Sequence, residues 1–310
     1  MQLSIGEATA IIKAKAKELG FDDVGISPSK LLIDDSSRLH SWLDHGFQAS
    51  MGYMENHFEK RVDASKLVEG SKSVISLLKN YYPPQKQRSD APVVAKYAYG
   101  LDYHEVLKPQ LAKLLQYIQE EIDSNAEGRV FTDSAPILER AYAREAGLGW
   151  IGKNSNLIHK KIGSFCFIAE VIVSTELLYD SPIQDGCGGC TRCIDSCPTL
   201  AILPDRTINS NRCISFQTIE NKGEISDMSP ESFQNRVFGC DICQDVCPWN
   251  WKARPHNTPE FMPNEQILNM STDEWKALDA ENFSIIFKGS PLKRAKFSGF
   301  ERNLKFLNFK

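Results

Sequence analysis

Apolar residues recur at Ile5, Ala8, Ile12, Ala16 and Leu19, three to four positions apart. That period predicts an amphipathic helix over 5–19, stopped by Gly20. Residues 21–26 read as a short strand, and 37–45 as a second helix closed by Gly46. The run 74–78 is a buried strand by composition, ended by Tyr81-Tyr82-Pro83-Pro84. A polar loop over 85–92 precedes a strand-like stretch, 93–99. Leu107, Leu111, Leu114, Leu115 and Ile118 mark one side of a long helix over 103–122. A short strand at 129–132, a helix at 137–146 closed by Gly147, and a strand at 165–174 follow. Strands separated by helices predict an α/β or α+β domain through about residue 180. Beyond it, 181–250 has little hydrophobic periodicity, and the chain turns helical again after Pro259, with 262–278 polar on average.

Composition adds little to this. Of 310 residues, 42% are hydrophobic and 25% charged, which excludes fibrous, disordered and low-complexity classes. The formal net charge of -4 predicts no nucleic-acid partner by itself, and leaves room for a local basic face. Residues 1–7 lack a basic region followed by an apolar one, and no window reaches 18 apolar residues. The expectation is a cytoplasmic protein, where thiols stay reduced and free for metal.

The cysteines change the picture. None of the nine precedes Cys166, and eight lie between Cys187 and Cys247. A disulfide scaffold spreads through a short secreted chain, whereas a dense cluster after a long cysteine-free half reads as metal ligation. Cys187, Cys190, Cys193 and Cys197-Pro198 form a C-x2-C-x2-C-x3-C-P run. That is the spacing of bacterial two-cluster ferredoxins. Cys240, Cys243 and Cys247-Pro248 follow, with Cys213 ahead of them.

Eight thiolates suit two 4Fe-4S clusters. Two-residue gaps wrap three sulfurs around one face, and the fourth cysteine reaches the other cluster. The expected sets are therefore crossed. Cys187, Cys190, Cys193 and Cys247 hold one cluster, and Cys197, Cys213, Cys240 and Cys243 hold the other. Structural zinc also uses paired cysteines, but this spacing crowds them too closely for two separate tetrahedral sites. Each oxidised cluster with four thiolates adds about two negative charges, which sharpens the contrast with a basic tail. Cys166, in Phe165-Cys166-Phe167, reads as a small buried hydrophobe.

Two clusters alone make an electron carrier, which has no need of a further domain of that size. Its runs include no Walker loop, Rossmann fingerprint or zinc-protease helix. They are Tyr53-Met54, 59–63 (Glu-Lys-Arg-Val-Asp), 97–104 (Tyr-Ala-Tyr-Gly-Leu-Asp-Tyr-His), 133–140 (Asp-Ser-Ala-Pro-Ile-Leu-Glu-Arg) and 147–154 (Gly-Leu-Gly-Trp-Ile-Gly-Lys-Asn). With both cysteine motifs, 238–250 and 289–295, these runs resemble the epoxyqueuosine reductase family in order along nearly the whole chain.

The resemblance implies an α+β, α/β-type cobalamin-binding reductase domain at 1–180, of a fold shared with reductive dehalogenases. It implies a two-cluster ferredoxin-like module at 181–258 and a short helical, basic region at 259–310. It implies reduction of the epoxide of epoxyqueuosine to queuosine at the wobble position of tRNAs for Asp, Asn, His and Tyr. Cobalamin is fed by the clusters and by an external electron donor. Asp133 is the implied general acid, an aspartic acid whose pKa an apolar site raises. On residues alone, capping of the helix after Ser134-Ala135-Pro136 is an equal role for it. Arg61, Tyr97, His104, Asp133, Lys153, Asn154 and Ser215 are the implied cobalamin contacts. The bland reading of Arg61 is a surface ion pair with Asp63. No D-x-H-x-x-G run supplies an axial histidine, in keeping with a family that holds cobalamin without one.

Lys293, Arg294 and Lys296 suit a phosphate backbone. Phe297, Phe300, Phe306 and Phe309, interleaved with further charges up to Lys310, suit either stacking on a base or the apolar side of a helix. The family's longer members continue into a helical-repeat region, which this sequence, ending at Lys310, is expected to lack. A monomer is the expected state. Three other readings stay open here: a dehalogenase-like reductase of a small molecule, a two-cluster electron-transfer protein and a zinc-stabilised RNA-binding protein.

Overall fold

A computed structural model describes residues 3–309. The last of the tail charges, Lys310, lies outside the described residues, as do Met1 and Gln2 at the start of the stretch tested for a leader. The first helix is Ile5–Glu18, opened by a capping box between Ser4 and Glu7. It buries Ala8, Ile12 and Ala16, and the chain leaves it through Gly20 at φ 91°.

Four strands make the central sheet, in the order Asp23–Pro28, Ser73–Asn80, Cys166–Val173, Gly128–Phe131. Every neighbouring pair is antiparallel, which decides for α+β over α/β. The strand Ser73–Asn80 is buried along its whole length, because helices cover both faces of the sheet. Ile75, Leu77, Ala169 and Val171 pack with Ile12, Leu107, Leu111 and Leu114 on one face. On the other, Val74 and Ile172 pack with Ala141 and Tyr142 of the helix Glu139–Glu145. The alternation has period two, as the pleat requires. Glu170 shares the second face with Ile172, a carboxyl where an aliphatic side chain would be expected.

Most predicted elements are present with displaced ends. The second helix is Ile33–Asp44, opening four residues earlier than its polar start suggested. The long helix runs from Tyr103 to Tyr117 and widens its last turn into a π-type segment, Ile118–Ile122. The stretch 93–99 is not one strand. Only Val93–Val94 pairs, in parallel with Arg236–Phe238, before a 3-10 turn at Lys96–Ala98. That pairing is long-range, so local β-propensity could not bound it.

A further core joins the chain's middle to its end. Val94, Ala98 and Tyr99 pack with Phe238, Trp275, Phe283, Phe287, Phe300 and Leu304. Phe300 is fully buried, and Phe297, Phe306 and Phe309 lie against the same core. The tail phenylalanines are therefore core and not a base-stacking platform. Arg302 is likewise internal in role, donating to the carbonyls of Gln217, Asn221 and Gly223. Asn303 is fully buried and donates to Thr218 O and Val237 O.

Candidate active site and cluster module

Asp133 lies just past the end of the strand Gly128–Phe131, in a left-handed turn at φ 56°. A non-glycine residue there is strained, and aspartate is among the few types that tolerate it. The helix beyond begins at Glu139 with Leu138 as its cap, so Asp133 is not a capping residue. Its carboxylate is the acceptor of Tyr103 Oη at 2.7 Å and faces His104 Nε2 at 3.4 Å. Arg294 stands 3.8 Å away, and Arg294 also pairs with Glu220 at 2.8 Å. The other ring nitrogen of His104, Nδ1, is 2.8 Å from Asp102 Oδ1. Asp102 caps the helix beginning at Tyr103, which fixes the direction of His104.

The charges follow from these contacts. Burial pushes the Asp133 carboxyl up, but the bonds from His104 and Tyr103, with the positive charge of Arg294, outweigh it and hold the group below the usual carboxylate range. The expected raised pKa is thus corrected: an apolar surrounding is countered by donors and a cation. Burial pushes His104 down, yet its two carboxylate partners outweigh that and lift it to about 9. Near neutral pH the proton of this pair rests on the imidazole. Burial and the Asp133 charge push both Tyr103 and Tyr97 upward, so Tyr103 stays a donor.

The other predicted contacts divide. Tyr97 stacks edge-on to Tyr103 with ring centroids 6.4 Å apart. Arg61 is 7% exposed and not an ion pair of Asp63; it donates through Nη2 to Tyr53 O at 2.9 Å, and its Nε meets no partner. Asp63 instead caps the helix Ala64–Leu67. The half-exposed ring of Tyr53 interacts electrostatically with Arg61, Asp133, Glu220 and Arg294. Lys153 and Asn154 turn to the cysteine module, donating to Gly188 O at 3.0 Å and Cys243 O at 3.3 Å. Ser215 follows Cys213, and its backbone amide faces that thiol. Lys293 and Lys296 are exposed. Arg294 is also exposed, while its guanidinium lies against the Glu220 and Asp133 carboxylates.

All nine cysteines are free. Cys166 is half-buried beside Leu78 and Ala143, and burial pushes its thiol up to about 12, as for a packing residue. The other thiols interact in two groups. Cys193 acts on Cys187 and Cys247, and Cys247 on Cys187 and Cys190. Cys213 interacts with Cys197, Cys240 with Cys213, and Cys243 with Cys240 and Cys213 and, less strongly, with Cys193 of the first group. Burial raises Cys240 to about 12, and Cys243 well above its ordinary value. Such thiols become thiolates when iron supplies the positive charge, so the donor set fits iron–sulfur clusters. Trp150 Nε1 donates to Cys187 Sγ at 3.4 Å, and the Ala201 amide to Cys197 Sγ at 3.3 Å. Hydrogen bonds of this kind tune a cluster's potential.

Asn250 fastens this module to the sheet. It accepts from the Ser164 amide at 2.7 Å and donates to Gln244 O at 2.7 Å. A Cβ on Gly163 would stand 2.0 Å from Asn250 Oδ1, so the joint needs glycine there.

Paired cysteine groups joined to a carboxylate–imidazole site define an iron–sulfur oxidoreductase. The family described as "4Fe-4S double cluster binding domain" matches residues 186–250, and "Epoxyqueuosine reductase QueG, DUF1730" matches residues 61–134. The chain is 50% identical to the epoxyqueuosine reductase of Leadbetterella byssophila over 296 residues, covering 96% of this chain and 97% of that one. It is 40% identical to that of Pseudomonas aeruginosa, covering 94% and 82%. The chain belongs to the epoxyqueuosine reductase family.

Solved structures agree. A selenomethionine-labelled epoxyqueuosine reductase superposes with a TM-score of 0.91 at 28% identity, over 98% of this chain and 82% of that one. One bound to an epoxyqueuosine-modified tRNA-Tyr stem loop gives 0.88 at 29%, over 98% and 81%. The Bacillus subtilis enzyme, with its catalytic aspartate loop swung out of the active site, gives 0.90 at 27%, over 98% and 82%. A reductive dehalogenase shares the fold at a TM-score of 0.54 and 16% identity, over 99% of this chain and 37% of that one.

Proposed function

We propose that the chain reduces the epoxide of epoxyqueuosine at the wobble position of tRNAs for Asp, Asn, His and Tyr, giving the alkene of queuosine. The observation that carries this is the half-exposed Asp133 carboxylate held against a protonated imidazole, in a chain that also carries the two cysteine groups. The reaction takes two electrons and two protons, breaks both C–O bonds of the epoxide and releases water. Opening the ring creates an alkoxide, which must be protonated. Asp133 delivers that proton, and His104 is the store that refills it. Asp102 orients His104, while Arg294 and Tyr103 hold the Asp133 carboxylate in place between proton transfers.

Cobalamin, when bound, supplies a strongly reducing and nucleophilic cobalt. The residues present fit it: Arg61 keeps an unused buried donor, and Tyr53 an open ring, beside Asp133. Arg61, Tyr97, His104 and Asp133 would hold it on the acid side, and Lys153, Asn154 and Ser215 on the cluster side. The crossed cysteine sets would hold two clusters that pass electrons in from an external donor. Lys293 and Lys296 would meet tRNA phosphates. The tRNA-bound relative supports that partner. Among the described residues no helix is long and apolar enough to cross a membrane. A monomer in the cytoplasm, divided at about 180 and 258, completes the reading.

The test is mass spectrometry of nucleosides from tRNA carrying epoxyqueuosine, incubated without oxygen with reconstituted protein, cobalamin and a strong reductant. Cobalamin-dependent loss of one oxygen from the base is the expected result. An unchanged base, with iron and corrin content verified, removes the substrate assignment.

The position of the proton gives a second expectation. Imidazolium is present below the raised pKa of His104 and is lost as pH rises through about 9. Single-turnover rates should therefore carry a component that falls as pH rises through about 9, and His104→Gln should lower the plateau by about 100-fold and remove that component. A His104→Gln profile that keeps a component falling near pH 9 would end the assignment of His104 as the proton store.

A further inference from the structure

Behind Asp133 lie two more carboxyls that the reaction above does not use. Glu170 is fully buried, and neither of its oxygens meets a hydrogen-bond donor. It faces Phe131 in the strand pairing, two residues before Asp133. Glu139, the first residue of the next helix, accepts the backbone N–H of Asp133 at 2.5 Å. The Glu139 and Glu170 carboxyls interact, each affecting the other's ionisation. Two carboxylates cannot bond without a proton, and a buried unpaired charge is costly.

The strained turn at Asp133 needs such a fastening. Its φ of 56° is disfavoured by sterics, and its side-chain contacts to Tyr103, His104 and Arg294 form only while the turn is in place. In the Bacillus subtilis relative the corresponding loop also occupies a swung-out position.

We propose that Glu139 is a positioning residue: its carboxyl, backed by Glu170, fastens the Asp133 turn while it carries a proton and releases it on ionising. The proposal deepens the reading of Asp133 as acid and rests on it. Burial and the neighbouring Asp133 charge lift Glu139 to about 8, and burial lifts Glu170 well above its ordinary value. The groups facing Glu139 include Asp133, Glu170, Arg140 and Tyr103. Arg140 donates to Ser155 O. Ionised Glu139 would gain a stronger bond to the Asp133 amide, but repulsion from the Asp133 carboxylate outweighs it.

The experiment uses holoenzyme with verified iron and corrin. Hydrogen exchange of residues 131–138, corrected for intrinsic rates, is followed by mass spectrometry on either side of pH 8, and turnover of epoxyqueuosine-tRNA is measured in parallel. In the unmodified chain protection should drop as pH rises through about 8. Glu139→Gln keeps the acceptor and cannot ionise, so protection should persist to higher pH. Glu139→Ala should lose protection at every pH and lower kcat by about 100-fold, with KM for tRNA little changed. Near-normal kcat in Glu139→Gln at neutral pH is the rescue. Protection that falls with pH in Glu139→Gln as it does in the unmodified chain would overturn the proposal, as would full protection in Glu139→Ala. Lost protection without lost turnover in Glu139→Ala would support the fastening and count against Asp133 as the acid.

Discussion

Asp133→Asn is expected to reduce turnover by about 100- to 10,000-fold, the range for losing a general acid, while both clusters and corrin uptake persist. The fold should tolerate the change. Asparagine has the same shape, accepts left-handed backbone and can still accept from Tyr103 Oη. It can neither deliver a proton nor pair with the imidazolium. Removing one of the two carboxylates that hold His104 up should also bring its titration down from about 9, with Asp102 left as partner. The measurements are single-turnover conversion of epoxyqueuosine-tRNA and an NMR titration of His104. Normal conversion in this variant would remove Asp133 from the chemistry. Lost conversion with an unmoved His104 would mean that the two groups are not coupled.

Cys197→Ala is expected to remove about half of the bound iron and to lower solubility, because cluster binding is coupled to folding. Cys197 belongs to the first motif by sequence but acts on Cys213 in space. In the crossed arrangement both serve one cluster. The double variant Cys197→Ala/Cys213→Ala should then lose no more iron than either single one. In an uncrossed arrangement the double variant would lose both clusters. Iron analysis and EPR of the reduced proteins separate the two arrangements, and full iron in Cys197→Ala would contradict the ligand sets outright.

The helices were readable where a local signal and burial coincide. The stripe Ile5, Ala8, Ile12, Ala16 and the stop at Gly20 give the first helix within a residue or two. Ends that depend on remote partners were not readable. Val93–Val94 is a strand because Arg236–Phe238 lies beside it. Glu170 occupies a position in a buried strand that period two assigns to the core, and nothing near it in sequence announces Glu139. Which of the two roles the tail phenylalanines take is hidden in the sequence for a related reason. Charge and aromatic content describe a surface only when the surface is known, and Phe300 and Arg302 face inward.

The cysteine spacing, the number of thiolates and the ordered motifs that name the family are legible without any fold. Those are local properties: a two-residue gap sets how a loop can present its sulfurs, whatever surrounds it. The surroundings of Asp133 come from the folded chain. Its partners are Tyr103, His104, Glu139 and Arg294, brought together by the sheet and by the core that seats the tail against the cluster module. A carboxyl's pKa follows from the balance of burial against nearby donors and charges, and that balance exists only once distant segments meet. The same packing brings Arg294, an expected phosphate contact, within 3.8 Å of the Asp133 carboxylate.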